Sequence, residues 1–125
     1  MREDVRKRII EVARTGETIT YKELMQEFGI PRGNPKRGIG IGDVVGEISE
    51  YEYSRRRPLV SAIVVRSDSD TKICPKGHPG GGFFGLPGIP SNLKRDETKF
   101  DDPLTEEDQK FLMDEQKKIW EFWKA

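Results

Sequence analysis

The sequence predicts an α+β domain with a winged-helix-like order of elements: a three-helix core, short β-strands and a Gly-rich wing, followed by an appended C-terminal helix. Three observations predict it. Apolar residues recur at helical spacing in the N-terminal half, a β-branched run spans residues 59–66, and a Gly/Pro-rich segment spans residues 75–90. This order is typical of a helix-turn-helix core followed by a β-wing.

The first two helices are predicted by periodicity and by capping signals. Residues 2–14 carry apolar side chains at helical spacing, which favours an amphipathic helix. A second helix begins after Thr20, because Thr20 and Glu23 have the spacing of a capping box. Gly29 follows its last turn, at the position where glycine commonly ends a helix.

A loop separates these helices from the third helix and the main strand. Residues 30–42 hold two Pro and four Gly, which predicts a loop, and residues 43–54 are again helical in pattern. The run at 59–66 is almost wholly apolar, so we expect a strand buried on both faces. Residues 71–74 are predicted to pair back as a hairpin. Residues 75–90, with six Gly and four Pro, then form the wing.

The chain divides into three predicted parts. Residues 1–90 form the winged-helix-like domain, residues 91–104 are a polar linker, and residues 105–125 form a helix that packs on the domain. Thr105 caps this last helix, whose first turn is acidic, as the helix dipole favours. The long segment at 75–90 is unusual in a small domain, and loops of this length are often functional.

Composition limits the functional classes. The 125 residues include 22 basic and 22 acidic side chains, whereas nucleic-acid binders usually carry a basic excess. The charge is unevenly distributed, with 13 basic against 10 acidic residues in 1–66 and 9 against 12 in 67–125. A single cysteine excludes an internal disulfide framework, and no apolar stretch is long enough for a membrane span. We therefore expect a cytoplasmic protein with no membrane partner and no cofactor.

Four short motifs follow one another in the N-terminal two-thirds of the chain. Residues 20–24 read TYKEL, residues 37–40 read RGIG, residues 57–58 with 63–65 read RP and IVV, and residues 80–83 read GGGF. In this order they resemble the winged-helix DNA-binding domain of alkylguanine-DNA alkyltransferases and of the alkyltransferase-like proteins. The resemblance covers residues 2–84. It implies a DNA-binding domain in which residues 44–48 continue a recognition helix and Arg37 intrudes into the duplex.

The chain departs from this family at the reactive position. The alkyltransferases have Cys-His-Arg after the proline, whereas Leu59, Val60 and Ser61 follow Pro58 here. A thiolate is needed to accept an alkyl group, so alkyl transfer is not expected. The resemblance implies instead the behaviour of the alkyltransferase-like proteins, which bind altered DNA without chemistry. The chain also resembles a small group of prokaryotic proteins with a Pro-Leu-x-Ser-Ala-x-Val-Val motif and no assigned function.

Two basic clusters are candidate contacts to phosphate groups, one in the loop before the third helix and one at its end. Such clusters neutralise phosphates and make binding depend on salt. With one tyrosine that stacks or bonds to phosphate, the candidate nucleic-acid-binding residues are Tyr21, Arg32, Lys36, Arg37, Gly38, Arg55, Arg56 and Arg57. The alternative is a solvated surface in which Glu47, Glu50 and Glu52 pair with the second cluster, and a core role for the tyrosine.

Two enzymatic alternatives remain open from the sequence. Cys74 and His78, four residues apart, have the residue types of a nucleophile and its base, and Gly80 to Gly82 offer backbone donors for an oxyanion. Glu47 and Glu50 lie one helical turn apart, a spacing that allows a shared divalent ion for a nuclease. No third group is identifiable for the first pair and no nuclease motif frames the second, so we expect no catalytic and no metal-binding residue.

The C-terminal helix offers a different class of function. It carries more aromatic surface than one helix face can bury, which favours either packing on the domain or a partner interface. The predicted contacts of a homodimer are Trp120, Phe122 and Trp123. The sequence therefore predicts first a non-enzymatic DNA-binding protein for altered or distorted DNA, second an interaction module, and third a small hydrolase or nuclease.

Overall fold

The computed structural model describes residues 1–33 and 40–124 of the chain. These residues form a mixed, mostly helical α+β structure, which confirms the predicted class. The helices are α1 (Glu3–Arg14), α2 (Tyr21–Phe28), α3 (Ile41–Ser54) and α4 (Glu106–Trp123), and the strands are β1 (Ile19–Thr20) and β2 (Val64–Val65).

The first two helices form where their sequence signals predict them. The apolar face of α1 is buried, with Val5 and Ile9 fully inaccessible to solvent. Before α2, the backbone N–H of Glu23 donates to the Thr20 hydroxyl oxygen at 3.1 Å, so the predicted capping box is present. Gly29 ends α2 with a φ of 63°, in the left-handed region that glycine adopts without steric cost.

The predicted strand at 59–66 is only partly a strand. Residues Val60–Ile63 form a turn of 3₁₀ helix, and only Val64–Val65 pair with β1, in a parallel two-stranded sheet with Ile19 opposite Val64. The backbone of the preceding part bonds to side chains instead of to a neighbouring strand. Ser61 N–H donates to Ser49 Oγ of α3 at 2.9 Å. The predicted burial on both faces is correct, because every residue from 59 to 65 is buried.

The predicted hairpin at 71–74 is wrong, and residues 75–90 contain no strand. The chain turns instead at Asp70, whose carbonyl oxygen accepts from the N–H groups of Ile73 and Cys74. The Gly-rich segment forms a 3₁₀ turn at Gly81–Gly85 that buries Phe83 and Phe84 in the core. The segment predicted as a β-wing is therefore packed against the domain by its aromatic side chains.

The segment at 91–104, predicted as a linker, is fastened to the domain by one side chain. Arg95 is largely buried, and its guanidinium donates to the carbonyl oxygens of Lys99, Asp102 and Pro103 and to the Asp108 carboxylate. Asp108 belongs to α4, so Arg95 connects this segment to the start of the last helix.

Helix α4 completes the hydrophobic core. It packs against α1 and the Val60–Ile63 turn, where Leu112 and Ile119 are fully buried. Gln116 of α4 donates to the carbonyl oxygens of Ala62 and Gly77, both at 3.0 Å. Within the described residues, no helix is both long and apolar enough to cross a membrane.

Candidate nucleic-acid interface

The basic residues Arg55 to Arg57 follow the C-terminus of α3 in a Schellman turn. The N–H of Arg57 donates to the Glu52 carbonyl oxygen, and the N–H of Arg56 donates to that of Tyr53, both at 2.9 Å. Arg56 occupies the left-handed position of this motif with a φ of 59°. Glycine is the residue that usually fills this position, because a side chain there is sterically unfavourable.

A buried carboxylate holds the third of these arginines. Glu52 is completely inaccessible, and it bonds through Oε1 to Arg6 Nε of α1 at 2.6 Å and through Oε2 to Arg57 Nε. The two guanidinium groups also lie within 6 Å of the rings of Tyr51 and Trp123. Arg57 is therefore partly buried in an ion pair that links α3 to α1, and its guanidinium also lies beside Trp123 of α4.

Arg55 and Arg56 are exposed and are not neutralised by the acidic residues that the sequence places nearby. Within the described residues, no carboxylate lies within ion-pairing distance of either guanidinium. Glu47 pairs instead with the α-amino group of Met1 at 3.2 Å, and Glu52 is occupied by Arg6 and Arg57. The two side chains are therefore available to an anion.

An open groove of about 660 Å³ lies beside these arginines, and we call it the Leu59 groove. Leu59 is buried in it, and its N–H donates to Glu115 Oε2 of α4 at 2.8 Å. Tyr53, half exposed, packs over Gly88, where an added Cβ would lie 2.8 Å from the ring. The groove is lined by Tyr53, Ser54, Arg56, Arg57, Pro58, Leu59, Gly88, Glu115 and Lys118.

Leu59 is the residue that the sequence resemblance predicts at the position of the alkyltransferases' reactive cysteine. Its side chain is a hydrocarbon, and no thiol lines the groove. The arrangement offers an apolar surface, an exposed aromatic ring and cationic side chains. Such a mixture suits a ligand that combines an aromatic group with a negative charge.

Two of the remaining predicted contact residues, Tyr21 and Arg32, are described by the structure, and neither lines the groove. Arg32 is exposed on the loop after α2. Lys36, Arg37 and Gly38 lie outside the described residues. Tyr21 is fixed within the chain, because its hydroxyl oxygen accepts from Gly80 N–H at 3.1 Å and burial raises the pKa of its phenol. Its hydroxyl group thus fastens the Gly-rich segment to the start of α2.

The geometry does not support a thiol enzyme. Cys74 is fully buried, and this burial raises the pKa of its thiol, whereas a nucleophilic cysteine needs a lowered pKa. His78 Nδ1 lies 3.0 Å from the carbonyl oxygen of Pro79, so the imidazole donates there. Among the described residues, no group of three or more His, Cys, Asp or Glu side chains is arranged to hold a metal ion.

Most of the aromatic residues of α4 make contacts within the protein. Trp120 Nε1 donates to the carbonyl oxygen of Glu17 at 3.0 Å, and the Trp123 ring lies beside Arg6 and Arg57. Phe122 is half exposed and meets Trp123 edge to face. A homodimer through these three residues stays a prediction, and Phe122 offers most of the accessible surface for it.

Sequence reasoning missed Glu115 and Lys118, and it named Glu52 as a partner of the arginines only on a solvated surface. A signal for the two glutamates exists. Glu52 follows Ile48 by four residues, and Glu115 precedes Ile119 by four, so each acid lies in register with an apolar helix face. A carboxylate in that register must find a buried partner, because an unpaired buried charge is strongly unfavourable. The sequence contains no such signal for Lys118, because its position in the groove depends on how α4 packs against the rest of the chain.

Comparison with known proteins gives no relative for the chain: no family model, no curated protein and no solved structure matches it.

Proposed function

We propose that the chain is a non-enzymatic protein that binds DNA through the surface formed by the end of α3, the Leu59 groove and the loop before α3. The observation that carries the proposal is that the three arginines after α3 differ in whether they have a carboxylate partner. Glu52 holds Arg57 in an ion pair, whereas Arg55 and Arg56 are exposed with no carboxylate partner in the described part of the chain. Cations presented in this way bind phosphate groups and release counterions from DNA.

In this proposal the helices adopt a winged-helix-like arrangement, with α3 as the helix that approaches the DNA. The loop before α3 adds Arg32, Lys36, Arg37 and Gly38, and Arg37 enters the base stack, as the resemblance to alkyltransferase-like proteins implies. Basic residues thus precede and follow α3 in the sequence, and contacts of such residues to phosphates position a protein on a duplex.

The Leu59 groove supports altered or distorted DNA as the preferred form. A base that has left the stack presents an aromatic face and flanking phosphates, and base–aromatic stacking is a common way to hold it. The exposed ring of Tyr53 lines a groove of suitable size for such a base, and Pro58 and the nearly buried Leu59 add apolar atoms to its wall. Because Leu59 has no nucleophilic atom, binding occurs without transfer of an alkyl group.

The experiment that tests this proposal is a fluorescence-anisotropy titration of labelled duplexes, with and without a mismatched or alkylated base, at several salt concentrations. Arg55→Ala and Arg56→Ala are each expected to make the slope of log K against log salt less negative by about 0.9. Arg37→Ala is expected to weaken binding by about 1–3 kcal/mol without changing the melting temperature.

Lys124→Ala is the matched control, because it removes an exposed positive charge from a residue that does not line the groove. It should leave both the affinity and the salt slope near the wild-type values. Equal small effects from all four substitutions would mean that these arginines are general surface charge, and the proposal would fail. Equal affinity for intact and damaged duplexes would reject the preference for altered DNA alone.

A further inference from the structure

Two cations from distant parts of the sequence line the Leu59 groove. Arg56 follows α3, and Lys118 belongs to α4, yet both lie in the lining of the same groove. The Lys118 side chain is two-thirds exposed. Its only ion-pairing carboxylate among the described residues is Glu115 Oε1, at the limiting distance of 4.0 Å. The ammonium group is itself exposed and lies at the limit of ion-pairing distance, so it remains accessible to a further anion.

The one carboxylate in the groove is already occupied by a backbone donor. Glu115 is buried, and its Oε2 accepts the N–H of Leu59 at 2.8 Å. Arg57 is likewise committed to Glu52. Of the charged groups that line the groove, Arg56 and Lys118 are therefore the two without a close partner, and both are positive.

The backbone at Arg56 gives an independent reason to assign it a role. It is the one non-glycine residue with positive φ in the described chain. Its motif is a helix terminus at which glycine would be favourable. Residues held in sparsely populated backbone conformations cluster at functional sites, and the one at this helix end carries an exposed charge.

We infer that Arg56 and Lys118 form a phosphate-binding site at the open side of the Leu59 groove. This inference rests on the proposed function, and it assigns α4 a direct part in binding. The ligand group is the phosphate of a nucleic-acid strand, held between the guanidinium of Arg56 and the ammonium of Lys118. Tyr53 lies in the same lining, so a base attached to that phosphate would meet the tyrosine ring.

The test compares Lys118→Ala with Lys117→Ala in the full chain. Both lysines are exposed neighbours on α4, but a step of one residue rotates the side chain by about 100° around the helix, and Lys117 does not line the groove. Binding of the preferred duplex is measured at several salt concentrations. Inorganic phosphate is titrated separately into the wild type and Lys118→Ala at constant ionic strength, with chloride as the comparison anion, while the amide resonances of Leu59 and Gly88 are followed.

The expected result is that Lys118→Ala weakens DNA binding about fivefold and makes the salt slope less negative by about 0.9, while Lys117→Ala behaves as wild type. Phosphate should shift the two resonances saturably in the wild type and not in Lys118→Ala. Lys118→Gln should weaken DNA binding in the same way without changing the melting temperature. This result would show that the weaker binding does not come from a loss of folding.

The possible failures are distinguishable. If the wild type binds DNA and the two lysine variants bind it with the same affinity as each other, the phosphate site is refuted and the proposed function stands. If the wild type binds no DNA but binds phosphate through Lys118, the DNA-binding function is refuted and the site serves a free phosphate or a small phosphomonoester. If neither ligand binds, both are refuted.

Discussion

Replacing Arg56 by glycine separates stability from binding at a single position. Arg56 has a φ of 59° at the Schellman turn that ends α3, and its side chain has no ion-pairing partner among the described residues. Glycine relieves the steric cost of the left-handed conformation, about 1–2 kcal/mol for a residue with a side chain. The same change removes one cation from the Leu59 groove. We therefore expect a protein that is more stable and binds DNA more weakly.

The expected change in the free energy of unfolding is the difference between two opposing contributions. Glycine also increases the freedom of the unfolded chain, which lowers stability by about 0.4–1 kcal/mol. The difference leaves a net gain of about 0.5–1 kcal/mol. For a chain of this length, such a gain raises the melting temperature by about 2–4 °C. Loss of one phosphate contact should make the salt slope of DNA binding less negative by about 0.9.

Two controls isolate the cause. Arg56→Ala removes the same charge but keeps a side chain in the left-handed conformation, so it should weaken binding equally without raising the melting temperature. Arg55→Gly places glycine one residue earlier, where φ is −98° and no steric cost is relieved, so it should lower the melting temperature. The assays are calorimetry and anisotropy titration. A lower melting temperature for Arg56→Gly would refute the strain argument, and wild-type DNA binding would refute the role of its side chain.

The remaining predictions concern the core and the alternative functions. Glu52→Gln should lower the free energy of unfolding by about 3–5 kcal/mol in denaturant titrations, because Arg6 and Arg57 lose their buried counter-charge. The exposed control Glu50→Gln should change it by less than about 0.5 kcal/mol, and equal effects would contradict the assigned network. A chain ending at residue 104 should show no cooperative melting, because it loses about 2 kcal/mol for each large buried side chain of α4 and leaves the Leu59 N–H unpaired. A truncated protein that melts near the wild-type temperature would mark α4 as a docking element. Cys74→Ala should cost about 1 kcal/mol and leave DNA binding unchanged, and an activity abolished in a folded variant would restore the thiol-enzyme alternative.

The local signals of the sequence predicted the helices well. The Thr20 capping box and Gly29 fixed the bounds of α2, and the apolar period of α1 matched its buried face. These signals operate within a few residues of one another, so the sequence contains them completely. The apolar run at 59–66 was also correctly expected to be buried.

The elements that depend on distant partners were not predicted. A β-branched run forms a long strand only where another strand is available, and β1 offers two residues. The rest of the run bonds to Ser49 and to Glu115, residues on α3 and α4. The Gly-rich segment likewise folds as a 3₁₀ turn because Phe83 and Phe84 find space in the core.

In the candidate site, too, local sequence signals predicted some residues, and only the packing of distant elements determined the others. The exposed pair Arg55 and Arg56 was predicted as a basic cluster, but Arg57 was assigned with them although it belongs to a buried ion pair. The ion pair that occupies Arg57 depends on Glu52 and Arg6, which are brought together by the packing of α1 on α3. Lys118 entered the site in the same way, through the packing of α4 beside the groove.

The salt dependence of wild-type binding decides whether this surface binds DNA by neutralising phosphates. The affinity of the 125-residue chain for a labelled duplex is measured from low to moderate salt, with the mismatched duplex and a single strand as parallel ligands. Phosphate neutralisation predicts measurable binding whose log K falls linearly with log salt, with a slope between about −2.7 and −5.4 for three to six phosphate contacts. No binding at low salt, or a slope near zero, would contradict it.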